Sequence, residues 1–168
     1  MSQNPDAKSG RGKRNKNKIT PITTKNLLRP KMRLAIAYSN ENRHQKSMQL
    51  MEECLELSMK MLPPGHSFIG ECMYNLASEC CSLYMFDKAL QHGKDALAVF
   101  QSGLPEEHSY ISRAMNNVAF ALHSLRKYDE ALGLLNQLLT RYKRILPPGD
   151  PKICKIESWI DMLQPNLL

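Results

Sequence analysis

The sequence predicts an all-α fold, a stack of about three helical hairpins closed by a C-terminal capping helix, and three observations carry that prediction. The word LPPG stands at residues 62–65 and again at 146–149, and a weaker copy, Leu104, Pro105, Glu106 and Glu107, lies midway, so the period is 42 residues. The register then holds without a gap. Asn75, Leu76 and Ala77 align with Asn117, Val118 and Ala119 and with Arg33, Leu34 and Ala35, while Phe86, Ala89 and Leu90 align with Tyr128, Ala131 and Leu132. Within one copy, Ile69, Met73, Leu76, Ala77, Cys80 and Leu83 recur at three- and four-residue steps, the spacing of one helix face. A fixed period of this length marks stacked units, none of which can bury its apolar face alone.

Taken in order, residues 1–29 come first. They hold eight basic residues against Asp6 alone, which accounts for the whole formal charge of +7 and leaves residues 30–168 neutral. With almost no apolar residue before Ile19, this stretch is expected to be a disordered basic tail. Its cluster of Arg11, Lys13, Arg14, Lys16 and Lys18 suits a nuclear address, or weak nucleic-acid or lipid binding through residues 8–18, with a plain solubilising tail as the bland alternative. No apolar run follows it to make a secretory signal, and no run of about 20 apolar residues exists to span a membrane, so an intracellular protein is expected, cytoplasmic or nuclear.

Repeats are expected at about 30–65, 66–107 and 108–149, with a cap at 150–168. Pro30 shortens the first helix of the first repeat. Each later repeat reads as two helical faces parted by a short break, at residues 84–87 in the second. Proline lacks the amide proton, clashes with the preceding turn and pushes its predecessor out of helical geometry, so LPPG ends each hairpin. Ser67, Ser109 and Asp150 are expected to cap the helices that follow. The five cysteines show no C-x-x-C pair and no zinc spacing, and they read as reduced, small core residues.

The segments ECMYNLASECCSLYMFDKALQHGKDAL and RAMNNVAFALHSLRKYDEALGLLNQLL resemble tetratricopeptide repeats, matching at Leu76, Ala77, Ala89 and Ala96 and again at Val118, Ala119, Tyr128 and Ala131. The 42-residue length, NNVA, KYDEAL and the proline-terminated end are most similar to the kinesin-light-chain type. The resemblance departs at Gly93, which replaces a large apolar residue, and at His44, Gln45, Lys46 and Ser47, which replace the loop consensus. It implies a right-handed superhelix whose first helices line a concave, peptide-binding face. On that face it places the columns Arg29, Glu71, Arg113, Lys155; Arg33, Asn75, Asn117, Trp159; and Ile36, Ser78, Phe120, Met162.

The expected peptide-binding residues are Arg33, Asn75, Asn117, Arg113, Phe120 and Lys155 of these columns, together with Asn116. Asparagine can donate and accept together, which suits a ligand's backbone, and arginine suits a carboxylate. The expected function is therefore a protein-interaction module or adaptor that binds a short acidic or C-terminal peptide at micromolar affinity. Asn75 and Asn117 are expected to face solvent, and Trp159 to pack over the end of the stack. The alternatives are a nuclear or RNA-associated protein acting through its tail, and a scaffold that self-associates, as a homodimer, through an open end formed by Met32, Leu34 and Ile36. The five histidines are scattered, and no nucleophile with a spaced base, phosphate loop or metal constellation is present, so no catalytic residue, metal or cofactor is expected.

Overall fold

The computed structural model describes residues 24–164, and within them the chain is a run of helices. A π-helical turn, Thr24–Leu28, leads into α1 (Arg29–Asn40) and α2 (His44–Met61). The second hairpin is α3 (Ser67–Ser82) and α4 (Phe86–Gly103), the third is α5 (Ser109–Ser124) and α6 (Tyr128–Ile145), and α7 (Pro151–Leu163) is the last helix among the described residues. Each helix packs on the next, and α3 also meets α5. Pro30 sits in the first turn of α1, where its missing N–H costs nothing, and that helix has 12 residues against 16 in α3 and α5.

The two kinds of connection have different chemistry. Inside each hairpin one residue takes a positive φ, at Asn42, Tyr84 and Arg126, all at the same repeat position. The next amide then reaches back over the helix end, as Met85 N–H does to the Cys80 carbonyl at 2.8 Å and Lys127 N–H to that of Leu122 at 2.9 Å. Between hairpins, the LPPG copies put Gly65 and Gly149 at φ of 80° and 82°, the conformation that a type II turn demands and glycine supplies. In LPEE, Glu107 closes the equivalent turn without a positive φ.

The caps differ from expectation. His66 and His108, not Ser67 and Ser109, precede α3 and α5, and each Nδ1 accepts the amide proton two residues on, from Phe68 at 3.1 Å and Tyr110 at 3.2 Å. The histidine ring spans the distance that the serine, already inside the helix, cannot. Asp150 caps α7 as expected, accepting from Lys152 N–H at 2.8 Å.

Two clusters form the core. One runs from Cys80 to Leu163 through Leu122, Leu135 and Ile160, and the other holds Leu28, Met32, Ala35, Met51, Cys54, Phe68, Cys72 and Leu76. Two boundary expectations change here. Leu28, assigned to the tail, is fully buried beneath α2, and Met32, assigned to an open apolar end, is buried as well. Leu34 and Ile36 do stay exposed. The matching Leu76 and Val118 are buried, and Val118 reaches Gly93 of the hairpin before it, whereas α1 has no described hairpin before it. Residues 1–23, and with them the basic cluster, lie outside the described residues.

Gly93 explains its own departure from the repeat pattern. A β-carbon there would stand 2.9 Å from Val118 Cγ2 and 3.9 Å from the Ala77 Cβ, so α3, α4 and α5 converge at a point that admits no side chain. Gly133, mid-way along an exposed face of α6, has open space instead. Gly93→Ala should therefore cost about 1 kcal/mol net, overpacking of about 1 to 3 outweighing a helix-propensity gain of up to about 1. Gly133→Ala should gain about 0.5 to 1 kcal/mol, and urea denaturation of both variants checks the opposite signs. Ala131 is fully buried at the α5–α6 contact. Ala131→Glu should cost more than about 3 kcal/mol by stranding a charge there, read as loss of helicity by circular dichroism or a steep fall in the denaturation midpoint.

Candidate peptide-binding groove

The odd-numbered helices form one face, held side by side by ring contacts. Arg29 of α1 lies over the Phe68 ring of α3 at 5.8 Å, and Arg113 of α5 lies over Tyr74 of α3 at 4.8 Å. His123 of α5 meets Trp159 of α7 edge-on at 6.2 Å. Between α5 and α7 the face opens into a groove in two joined parts.

The larger part, about 560 Å³, is bordered by Phe120 and His123 of α5 and by Ser158, Trp159 and Met162 of α7, with Asn116 and Lys155 at its inner edge. Phe120 is 43% exposed and Met162 65%, high values for large apolar side chains, and they share one repeat position with exposed Ile36. The aromatic wall continues through Phe86, whose ring meets Phe120 at 6.4 Å, to Tyr84 at 6.0 Å from Phe86.

The smaller part, about 200 Å³, shares Asn116 and Lys155 and adds Tyr74, Arg113, Asn117, Tyr142, Lys152 and Ile156. Its three cations, Arg113, Lys152 and Lys155, make no ion pair among the described residues, and no carboxylate borders either part. Arg113 is held by two rings, Tyr74 and Tyr110, the second at 5.6 Å, which orient its guanidinium without neutralising it.

Five of the seven expected residues, Arg113, Asn116, Asn117, Phe120 and Lys155, thus come together in this groove. Arg33 is exposed on α1 and Asn75 half-buried on α3, and neither borders it. The expectation that both asparagines face solvent is corrected. Asn75 is half-buried and gives its side-chain N–H to the Glu71 carbonyl of its own helix at 2.8 Å. Asn117 buries its side-chain nitrogen with no hydrogen-bond partner among protein atoms.

Glu71 marks the far limit of the cationic region. Burial raises its carboxyl above the ordinary value, against the pull of Arg29 and a hydrogen bond from the Tyr110 hydroxyl. Trp159 packs on His123 and borders the groove as well, so it is a wall and not only a cap. Lys152 and Tyr142 were missed from sequence. Lys152 lies one helical turn before Lys155, a spacing that signals a shared face, whereas Tyr142 belongs to a second helix, which a first-helix register excludes.

No helix among the described residues is long and apolar enough to cross a membrane. The family model for the tetratricopeptide repeat matches residues 31–67 and 112–152. No curated protein matches the chain. Among solved structures, a protein of Podosopora anserina described as a kinesin light chain with nearly identical TPR-like repeats superposes with a TM-score of 0.75 at 19% identity, covering 83% of this chain and 66% of that one. BtubC (BKLC) of P. vanneervenii gives 0.77 at 21% identity over 84% of this chain and 56% of its own, so the chain spans less than two thirds of either structure. A tpr-like protein of Chlorobium tepidum gives 0.62 at 17% identity, covering 83% of this chain and 90% of that one. Tetratricopeptide repeats are protein-interaction modules. By these matches residues 31–67 and 112–152 are tetratricopeptide repeats, and the stack that contains them has a kinesin-light-chain-like fold.

Proposed function

We propose that the α5–α7 groove binds a short acidic segment of a partner protein, and that the stack from the Thr24–Leu28 turn through α7 acts as the binding unit. The observation that carries the reading is the grouping of Arg113, Lys152 and Lys155, unpaired among the described residues, around one cavity that no carboxylate borders. Neighbouring cations of α6 do find carboxylates, as Arg144 finds Glu106 at 2.6 Å and Lys143 finds Glu157 at 2.8 Å. A ligand carboxylate would gain charge-assisted hydrogen bonds at the cationic end, and the Asn116 amide, which borders both parts of the groove, would pair with its backbone. An apolar side chain of the same segment would fill the space between Phe120 and Trp159. Glu71 would set the boundary beyond which further acidic residues are repelled.

The test is fluorescence polarisation with two labelled peptides of one sequence, one rich in Asp and Glu with a free C-terminus, the other with Asn and Gln and an amidated end. Micromolar binding of the first alone supports the reading, and equal binding of both, or of neither, ends it. Arg113→Ala and Lys155→Ala should each weaken the acidic peptide roughly 10- to 100-fold, the loss of one charge-assisted hydrogen bond of about 1.5 to 3 kcal/mol. Added salt should shrink that difference, and Lys94→Ala, beside Glu130 and away from the groove, should leave affinity unchanged.

Glu71 gives a pH signature. Its folded carboxyl holds its proton to higher pH than the unfolded one. Below the unfolded value of about 4.3 both states are protonated and the residue costs nothing; as pH rises through the folded value the unfolded state is favoured. Glu71→Gln should therefore match the wild type near pH 4 and exceed it in stability at pH 7, as denaturation midpoints across that range would show.

A further inference from the structure

We infer that Cys54 and Cys72 form an oxidisable dithiol that hydroperoxides convert to a disulfide, fastening the first hairpin to the second. The two sulfurs stand 3.7 Å apart across the contact between α2 and α3, and both residues are 0% exposed. They belong to one donor chain: the Cys72 thiol donates to the Cys54 sulfur, and the Cys54 thiol donates to the Leu28 carbonyl at 3.6 Å. The Ser58 hydroxyl also hydrogen-bonds Cys72.

Packing alone does not require sulfur at these positions. One repeat further on, Ala96 stands where Cys54 stands and Ala114 where Cys72 stands; one further still, Leu138 and Ile156 take their places, and all four are buried. Only the first seam brings two thiols together among the described residues, since Cys154 is exposed on α7 and Cys80 and Cys81 are sequence neighbours.

The chemistry has a direction. The hydrogen bond from Cys72, aided by the charge of Lys31, pulls the Cys54 thiol below its ordinary value. Burial pushes Cys80 up and Cys81 up to about 11. Cys54 is thus the nucleophile and Cys72 the resolving thiol. The Cys54 thiolate attacks one oxygen of hydrogen peroxide; an S–O bond forms, the O–O bond breaks, and the departing hydroxide takes the proton that Cys54 released, leaving as water. The Cys72 sulfur then attacks the Cys54 sulfur; the S–S bond forms, the S–O bond breaks, and the hydroxide leaves with the Cys72 proton as a second water. Two thiols and one peroxide give one disulfide and two waters, a two-electron oxidation of sulfur. The sulfurs must close by about 1.6 Å to bond, and a small peroxide suits a buried pair better than a bulky disulfide reagent.

The test uses the full chain, reduced, freed of reductant and exposed to a few equivalents of hydrogen peroxide, with remaining thiols alkylated in denaturant before peptide mapping without reduction. The expected product joins the Cys54 and Cys72 peptides within one chain and raises the melting temperature by roughly 6 to 10 °C, reversed by dithiothreitol. Cys54→Ala and Cys72→Ala, which install the residues of the neighbouring repeat, should each abolish both the link and the shift. Mapping that finds Cys81 or Cys154 oxidised while Cys54 and Cys72 stay unlinked overturns the inference, as does a link that forms only in denaturant. The wild-type map decides the matter even if an alanine variant folds poorly.

Discussion

Everything in this molecule depends on how closely consecutive helices approach, and Gly93 marks a point where three of them meet. There α4 passes between α3 and α5 so closely that a single added carbon would meet Val118. Small buried residues serve the same end along the stack, with Ala35, Ala77 and Ala119 in the first helices and Ala89 and Ala131 in the second. Dispersion and apolar burial act only at short range, so the spacing these residues permit sets the stability of each hairpin. It also sets the distance between odd-numbered helices, and with it the width of the groove.

The stack leaves the odd face lightly filled because the core is built elsewhere. Large side chains such as Leu135, Leu138 and Ile156 occupy the space between layers, while the face itself carries Phe120, Met162 and the cations. Charges are sorted in the same way. Six cations, Lys31, Arg43, Lys60, Lys94, Lys143 and Arg144, sit near a carboxylate in exposed pairs that contribute little each, whereas Arg113 is positioned by aromatic rings, which orient charge without cancelling it. A cation left unneutralised but held in place is what an anionic ligand needs, since the ordering has been done before it arrives.

The two ends of the stack are treated differently. At the C-terminal end α7 closes the core with Ile156, Ile160 and Leu163 and adds Trp159 to the groove wall. At the other end the π-helical turn folds Leu28 under α2, where its carbonyl accepts the Cys54 thiol, whose sulfur in turn accepts the Cys72 thiol. Among the described residues the first seam is therefore the place where two thiols face each other between hairpins.

By itself the sequence determined the class of fold, the period, the hairpin units and the stops between them. These follow from local rules: proline cannot continue a helix, glycine alone takes the turn conformation at Gly65 and Gly149 without strain, and apolar spacing declares a helix face. The repeat register also brought five of the seven chosen residues to one groove, because residues 42 apart occupy equivalent places on neighbouring helices. Tertiary structure alone decided the rest. Asn75 turned its amide to its own backbone, Asn117 was drawn inward, Tyr142 reached the groove from a second helix, and His66 and His108 took the capping role from the serines beside them. Each of these depends on side-chain direction and on what the next helix brings near, and a repeat period does not encode either.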